Sequence, residues 1–244
     1  MNILTLKIGD RYNSDYVNRL YHGLKRNSTV DFNFYCYTEN PKGLNKNIYV
    51  IPLKERGDIL KQWYKIDFHH MSWLKGKCLI LDIDYIVLNS VDDILNWDLP
   101  IGYFGCNYRW WSRLTYFCSI NGGFQMFHQG DTKHLYDKFY DNPEYWQRYY
   151  IIRKEAEPPV NGEQNFVDQH CECKRSWLPA EWFAKYQTDE LSKIQDLWYE
   201  RINSSDPYFM GGEFNDSIRM VHFSNSNNLI HDYSDDWVSK YWYD

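Results

Sequence analysis

Apolar positions along this 244-residue chain follow two rhythms. Short apolar or alternating runs at 2–8, 32–37 and 48–52 read as strands. Between the first two, Val17, Leu20, Tyr21 and Leu24 fall on one face of a helix that Ser14 is placed to cap. Residues 59–74 repeat helical spacing through Leu60, Trp63, Tyr64 and Met71, and Glu39-Asn40-Pro41-Lys42-Gly43 is a turn. The second half is less regular. Strands are predicted at 101–106 and 123–127, and a helix capped by Asp131 runs through Leu135 and Phe139. Glu157-Pro158-Pro159 breaks the chain before 161–169; a late strand at 218–223 and a terminal helix at 235–241 follow. Strands alternating with helices predict an α/β fold with a mostly parallel central sheet flanked by helices. No repeat, low-complexity segment or linker divides the chain, so one domain is expected over 1–244.

The run Leu79-Ile80-Leu81-Asp82-Ile83-Asp84-Tyr85-Ile86-Val87-Leu88 reads as a buried strand that carries two carboxylates. Unpaired ionised carboxylates are costly to bury, so they need a counter-charge or an exit to solvent. Residues i and i+2 of an extended chain point the same way, which would aim Asp82 and Asp84 at one place. A hard divalent cation bound through oxygen, bridging to phosphate, would explain the arrangement. The alternative is a strand ending at Leu81 with both aspartates solvated in the following turn. Ligands of parallel α/β sheets sit outside the carboxyl ends of strands, which favours a site here.

Composition narrows the classes. Charged residues are 25% of the chain, so it is globular, and a net charge of −6 argues against non-specific binding to nucleic acid or anionic membrane. Aromatics reach 19%, with 11 Trp and 22 Tyr; these suit either sugar faces and flat bases or a Tyr-rich core. The start of the chain lacks a signal-peptide pattern and no window approaches the ~18 apolar residues of a membrane span, which predicts a soluble protein. Cys36, Cys78, Cys106 and Cys118 lie in apolar runs as reduced core residues, so the expected location is cytoplasmic. His170-Cys171-Glu172-Cys173 has a zinc-like look but no second ligand pair, and a loop with free thiols is expected. His69 and His70 face different directions on a helix and are read as packing or surface residues.

Six segments stand in order along the chain. They are Leu6-Lys7-Ile8-Gly9-Asp10-Arg11-Tyr12, then Trp63-Tyr64-Lys65, then Asp82-Ile83-Asp84 with Val91-Asp92-Asp93-Ile94-Leu95 after it. Ile120-Asn121-Gly122-Gly123-Phe124-Gln125-Met126-Phe127, Gly162-Glu163-Gln164-Asn165-Phe166 and Val221-His222-Phe223 complete the set. Together they resemble the glycogenin-like retaining glycosyltransferases of the GT-A fold, from the first strand to about Phe223. The resemblance implies a nucleotide-binding half (1–106) and an acceptor-binding half (107–244). It implies that Leu6, Asp10 and Tyr12 hold the base, Tyr12 by stacking on uracil. Lys65, Ile83, Asn121 and Gly122 would contact the donor, and Glu163 and Gln164 would stand beside the reacting carbon. Asp82, Asp84 and His222 would bind a metal, and the imidazole favours manganese over magnesium. The implied reaction is transfer of a hexose, glucose before galactose, from a UDP-sugar to a glycan or other hydroxyl acceptor.

Three departures from the family pattern stand out. Ser224-Asn225-Ser226-Asn227-Asn228 replaces the family's Gly-x-x-Lys-Pro-Trp, whose lysine clamps the diphosphate; Gly122 replaces a serine, and Glu163 an aspartate. Glu163 would act as a nucleophile or, more in keeping with the family, hydrogen-bond donor or acceptor hydroxyls. Trp110 and Trp111 could form an acceptor platform or cover the core. Two rival readings are a non-catalytic sugar- or nucleotide-binding module and a phosphatase of the haloacid dehalogenase class, whose motif belongs on a first strand.

Overall fold

In a computed structural model, residues 1–108, 118–152, 162–185, 217–223, 229–232 and 236–243 are described. Strand β1 (Asn2–Lys7) pairs in parallel with β2 (Asn33–Thr38) and with β4 (Lys77–Leu81), and β2 pairs in parallel with β3 (Tyr49–Pro52). Beyond β4 the sheet changes direction. β7 (Ile120–His128) runs antiparallel to β4 and to β6 (Tyr103–Tyr108), and β8 (Lys174–Leu178) closes the sheet parallel to β6. The order is β3-β2-β1-β4-β7-β6-β8. A separate three-stranded sheet joins β5 (Tyr85–Val87), β10 (Met220–His222) and β9 (Phe183–Lys185), in the order β5-β10-β9.

Alternation along the central strands feeds two cores. Leu79 and Leu81 of β4 pack with Ile3 and Phe124 on one side, and Cys78 and Ile80 pack with Leu4 and Phe127 on the other. Helix α1 (Ser14–Arg26) covers the first side with Val17, Leu20 and Leu24, together with the small sheet and the terminal helix. The arginines of α1 fasten that terminal helix: Arg19 and Arg26 donate to the carbonyls of Trp242 and Tyr241, each at 3.1 Å, where a helix end leaves its carbonyls without partners.

The short helix α2 (Asp92–Leu95) adds Ile94 and Leu95 to that first side. The second side is built by the 3₁₀ helix Lys61–His70 with α3 (Lys133–Asp141), α4 (Pro143–Gln147) and α5 (Glu163–His170). Trp63 stacks on Phe139 with ring centres 4.9 Å apart, a contact worth about 1 kcal/mol beyond its burial. Among the described residues no helix is long and apolar enough to cross a membrane. All six cysteines are free thiols; Cys36, Cys78, Cys106 and Cys118 are buried, and Cys171 and Cys173 half-buried.

Several local expectations change. Asn13, not Ser14, caps α1, accepting from the Asp15 N–H at 3.0 Å. Asp131 does not cap α3; its carboxylate accepts from the Gly102 N–H, and the helix starts after Thr132 without a side-chain cap. The segment expected as a helix over 59–74 is the 3₁₀ helix. A three-residue repeat eclipses i and i+3, which stacks Trp63, Ile66 and His69 on the core side. Gln147 fixes its entrance, accepting from the Leu60 N–H at 2.6 Å and donating to the Asp58 carbonyl at 2.8 Å. The run 79–88 is not one strand: β4 ends at Leu81, and β5 starts at Tyr85 in the other sheet. Glu157-Pro158-Pro159, Trp110 and Trp111, and Ser224–Asn228 lie outside the described residues.

His69 is buried against Phe127 and hydrogen-bonded through Nδ1 to the Thr132 hydroxyl at 2.9 Å. Burial lowers its pKa from 6.5 to about 3. The unfolded chain therefore takes up a proton near pH 6.5 that the folded chain refuses until about pH 3, and this contribution to stability is lost as pH falls through that window. Against His69→Gln, the advantage of the wild type in urea unfolding should shrink by about 2 kcal/mol between pH 6.5 and 5. A difference that stays constant with pH would show that His69 is not held neutral.

Candidate active site

The two aspartates meet because the chain crosses from one sheet to the other between them. The Asp82 N–H donates to the Gly123 carbonyl at 3.0 Å, which extends the β4–β7 pairing by one residue. Two residues later the Asp84 carbonyl accepts from the Phe223 N–H at 2.9 Å, and the β5–β10 register sets Tyr85 opposite His222. The strand does end at Leu81, yet the aspartates are not left in solvent. His222 Nε2 lies 3.1 Å from Asp84 Oδ1 and 3.8 Å from Asp82 Oδ2. One ligand atom from each of these residues falls within 4.8 Å of the others.

Behind this trio a buried lysine joins two carboxylates. Lys65 Nζ is 3.0 Å from Asp82 Oδ1 and 3.2 Å from Glu163 Oε2, and it donates to the Gly122 carbonyl at 3.2 Å. Burial works against the ammonium, but Asp82 and then Glu163 outweigh it and hold the Lys65 pKa above the usual lysine value. Glu163 has the opposite balance: burial raises its pKa, and Lys65 offsets only part of the rise. Its other oxygen accepts from Gln125 Nε2 at 2.9 Å. For Asp84, burial opposes ionisation, but the charge and hydrogen bond of His222 prevail and lower its pKa.

The imidazole is positioned in turn. Tyr85 stacks on His222 with ring centres 4.2 Å apart and planes 11° apart. Asn121 Nδ2 donates to the Tyr85 hydroxyl at 2.5 Å and lies 3.2 Å from His222 Nδ1, and its oxygen accepts from the Gly123 N–H at 3.1 Å. The Tyr12 hydroxyl reaches Asp84 Oδ2 at 3.5 Å, and its pKa is raised by burial and then by Asp84.

A cleft of about 610 Å³ opens here, at the carboxyl ends of β1 and β4. Leu6, Tyr12, Lys65, Ile83, Asn121, Gly122, Glu163 and Gln164 all line it with Asp82, Asp84 and His222. Asp10 is exposed and is not among the lining residues. Ile8, Arg11, Lys61, Gln62 and Gly123 also line it; Ile8, Arg11 and Gly123 lie in segments the sequence singles out but have no role of their own there, and Lys61 and Gln62 lie in none. Gln62 had a signal only in hindsight, since the 3₁₀ repeat eclipses it with Lys65. Gly123 had a clearer one, a glycine pair inside an apolar strand. A Cβ on Gly123 would stand 2.7 Å from His222 Cε1 and 2.8 Å from Asp82 Oδ2. The departure at Gly122 also has a physical reason, because a side chain there would run into the Cβ of Gln164.

The donor set fits a divalent cation. Lys65 takes Asp82 Oδ1 and leaves Oδ2 turned toward His222, Asp84 presents Oδ1 to the same nitrogen, and Gly123 keeps the space clear. Two carboxylate oxygens with one imidazole nitrogen suit a divalent ion that accepts both oxygen and nitrogen.

No protein-family model matches the chain, and no curated protein does. Solved structures do. The fold is similar to galactosyltransferase LgtC in complex with donor and acceptor sugar analogs, with a TM-score of 0.62 and 12% identity over 99% of this chain and 94% of that one. It is similar to the apo form of the glycosyltransferase GlyE of Streptococcus pneumoniae TIGR4, with a TM-score of 0.62 and 13% identity, 99% of this chain matching 59% of GlyE. Apo mouse xyloside xylosyltransferase 1 gives a TM-score of 0.57 and 10% identity, over 94% of this chain and 100% of that one. The chain thus has the GT-A fold in a single domain, a mixed and mostly parallel sheet flanked by helices, with the cleft at its centre.

Proposed function

We propose that this protein is a metal-dependent glycosyltransferase that moves a hexosyl group from a UDP-sugar to a hydroxyl acceptor with retention of anomeric configuration. The observation that carries the reading is the convergence of Asp82, Asp84 and His222 on one point in a cleft of a GT-A fold. A divalent ion held there would offset the charge that develops on the departing diphosphate. The same reading divides the chain into a nucleotide-binding half (1–106) and an acceptor-binding half (107–244).

The protein's own groups do the rest. Tyr12 and Leu6 offer an aromatic and an apolar surface for the base at one end of the cleft. Glu163 and Gln164 stand at the start of α5, where Gly162 turns the chain with φ 68°. Both oxygens of Glu163 are engaged, one by Lys65 and one by Gln125. That engagement supports a positioning role over a nucleophilic one. Gln164 uses its oxygen on the Gly122 N–H at 3.2 Å, which leaves its amide N–H groups for the sugar. In the front-face reaction this favours, the bond from the anomeric carbon to the phosphate oxygen breaks as the acceptor oxygen bonds to that carbon on the same face. The acceptor proton passes to the departing phosphate oxygen.

UDP release from a panel of UDP-sugars tests the reading. Turnover of one donor should require manganese or magnesium, stop with EDTA, and fall by about 10²-fold or more in Asp84→Ala. Metal-dependent UDP binding without turnover against any acceptor would favour a binding module, and no UDP binding would end the proposal. The buried ion pair gives a second test. Lys65→Met should destabilise the fold by about 3 kcal/mol in urea, because it strands Glu163 and Asp82. Adding Glu163→Gln should recover part of that loss, whereas simple additivity would mean the two residues are uncoupled.

A further inference from the structure

The charges around the cleft do not balance at its floor. Its lining carries the carboxylates Asp82, Asp84 and Glu163 and the cations Arg11, Lys61 and Lys65. Lys65 is consumed by Asp82 and Glu163. Those three carboxylates, Lys65 and one divalent ion together sum to zero, so the floor, ion included, brings no net positive charge to a bound diphosphate. The diphosphate of a nucleotide sugar brings one negative charge on each phosphate, and the cations that would balance it stand at the mouth.

Two stand there, in different situations. The Arg11 guanidinium lies over the Tyr12 ring, 5.3 Å from its centre. Lys61 is exposed, lines the cleft, and among the described residues makes no hydrogen bond or ion pair. Its ammonium rests over the turn between β1 and α1: a Cβ on Gly9 would fall 2.5 Å from Lys61 Nζ. Gly9 has φ 69°, and its N–H is tied to Glu39 Oε1 at 2.7 Å, so the turn is held in a shape that leaves this place to the lysine. The backbone that carries Lys61 is fixed as well, since it follows Leu60, whose N–H is held by Gln147.

Resting on the glycosyltransferase reading, we infer that Lys61 is a donor-binding residue whose ammonium holds the diphosphate of the nucleotide sugar from the mouth of the cleft. It acts as a point charge on a flexible stem and closes on the phosphates only when they are present. Lys65, by contrast, is a structural cation that serves the floor.

Calorimetry with manganese and UDP tests this on the wild type, Lys61→Met, Lys61→Arg, and Lys46→Met, which removes the same charge from an exposed position outside the cleft lining. Uridine, whose weak binding is followed by saturation-transfer NMR, reports on the base site alone. Lys61→Met should weaken UDP by about tenfold and leave uridine unchanged, Lys61→Arg should recover most of the loss, and Lys46→Met should match the wild type. Equal UDP affinity in Lys61→Met, an equal loss for uridine, or the same loss in Lys46→Met would overturn the assignment. A wild type that binds no UDP would instead overturn the reading on which it rests.

Discussion

The site depends on the burial of one ammonium between two carboxylates. Lys65 is buried at the cleft floor, and its contacts with Asp82, Glu163 and the Gly122 carbonyl tie four elements together: the 3₁₀ helix, the end of β4, the start of α5 and β7. Removing Lys65 would leave the buried Glu163 carboxylate without a counter-charge, which is far more costly than losing an exposed pair. The arrangement also decides how Asp82 is used. One of its oxygens belongs to the scaffold and the other to the cleft, so the carboxylate is oriented before anything binds. His222 receives comparable support from the Tyr85 ring and the Asn121 amide.

The fold supplies the positions by changing sheets at the right place. Up to Leu81 the chain belongs to the seven-stranded sheet, and from Tyr85 it belongs to the three-stranded one. The tripeptide between them spans the seam. Strand β10 returns to the seam from a distant part of the sequence and brings His222, and β7 brings Gly122 and Gly123 from the other side. Glycine at both positions is a matter of room: His222 and Asp82 occupy the space next to one, and Gln164 the space next to the other.

Much of this was legible from residues alone. The parallel strands around β1 and the amphipathic face of α1 follow from periodicity, because packing against a sheet demands it. Asp82 and Asp84 were conspicuous as charges in an apolar run. Of the two arrangements the sequence allows, the strand does end at Leu81, and a break between two sheets rather than the β-strand period brings the carboxylates together. Helical spacing over 59–74 does not separate a 3₁₀ helix from an α-helix over so few turns, and the difference shifts which residues face the cleft. Asp131 looked like a cap because its type fits, but the Gly102 N–H competes for it across the fold. Arg11 lies in the segment 6–12 without a role of its own, and Lys61 has no local signal. A surface lysine becomes part of a site only through what tertiary structure sets across from it, and sequence spacing does not encode that. Asn121 was expected to face the donor; it lines the cleft, but its amide is occupied by Tyr85, His222 and Gly123.

The split of the aspartate tripeptide between two sheets also bears on how the molecule opens. Asp82 is pinned to one sheet through the Gly123 carbonyl, and Asp84 to the other through the Phe223 amide, with a single residue between the two anchors. Neither sheet can shear or fray at this point without pulling on the other. The seam is therefore a mechanical link as well as the floor of the cleft, and the two layers should unfold there as one cooperative unit. In hydrogen exchange, the Asp82 and Phe223 amides would then be released in the same opening event, with one free energy, although they belong to different sheets.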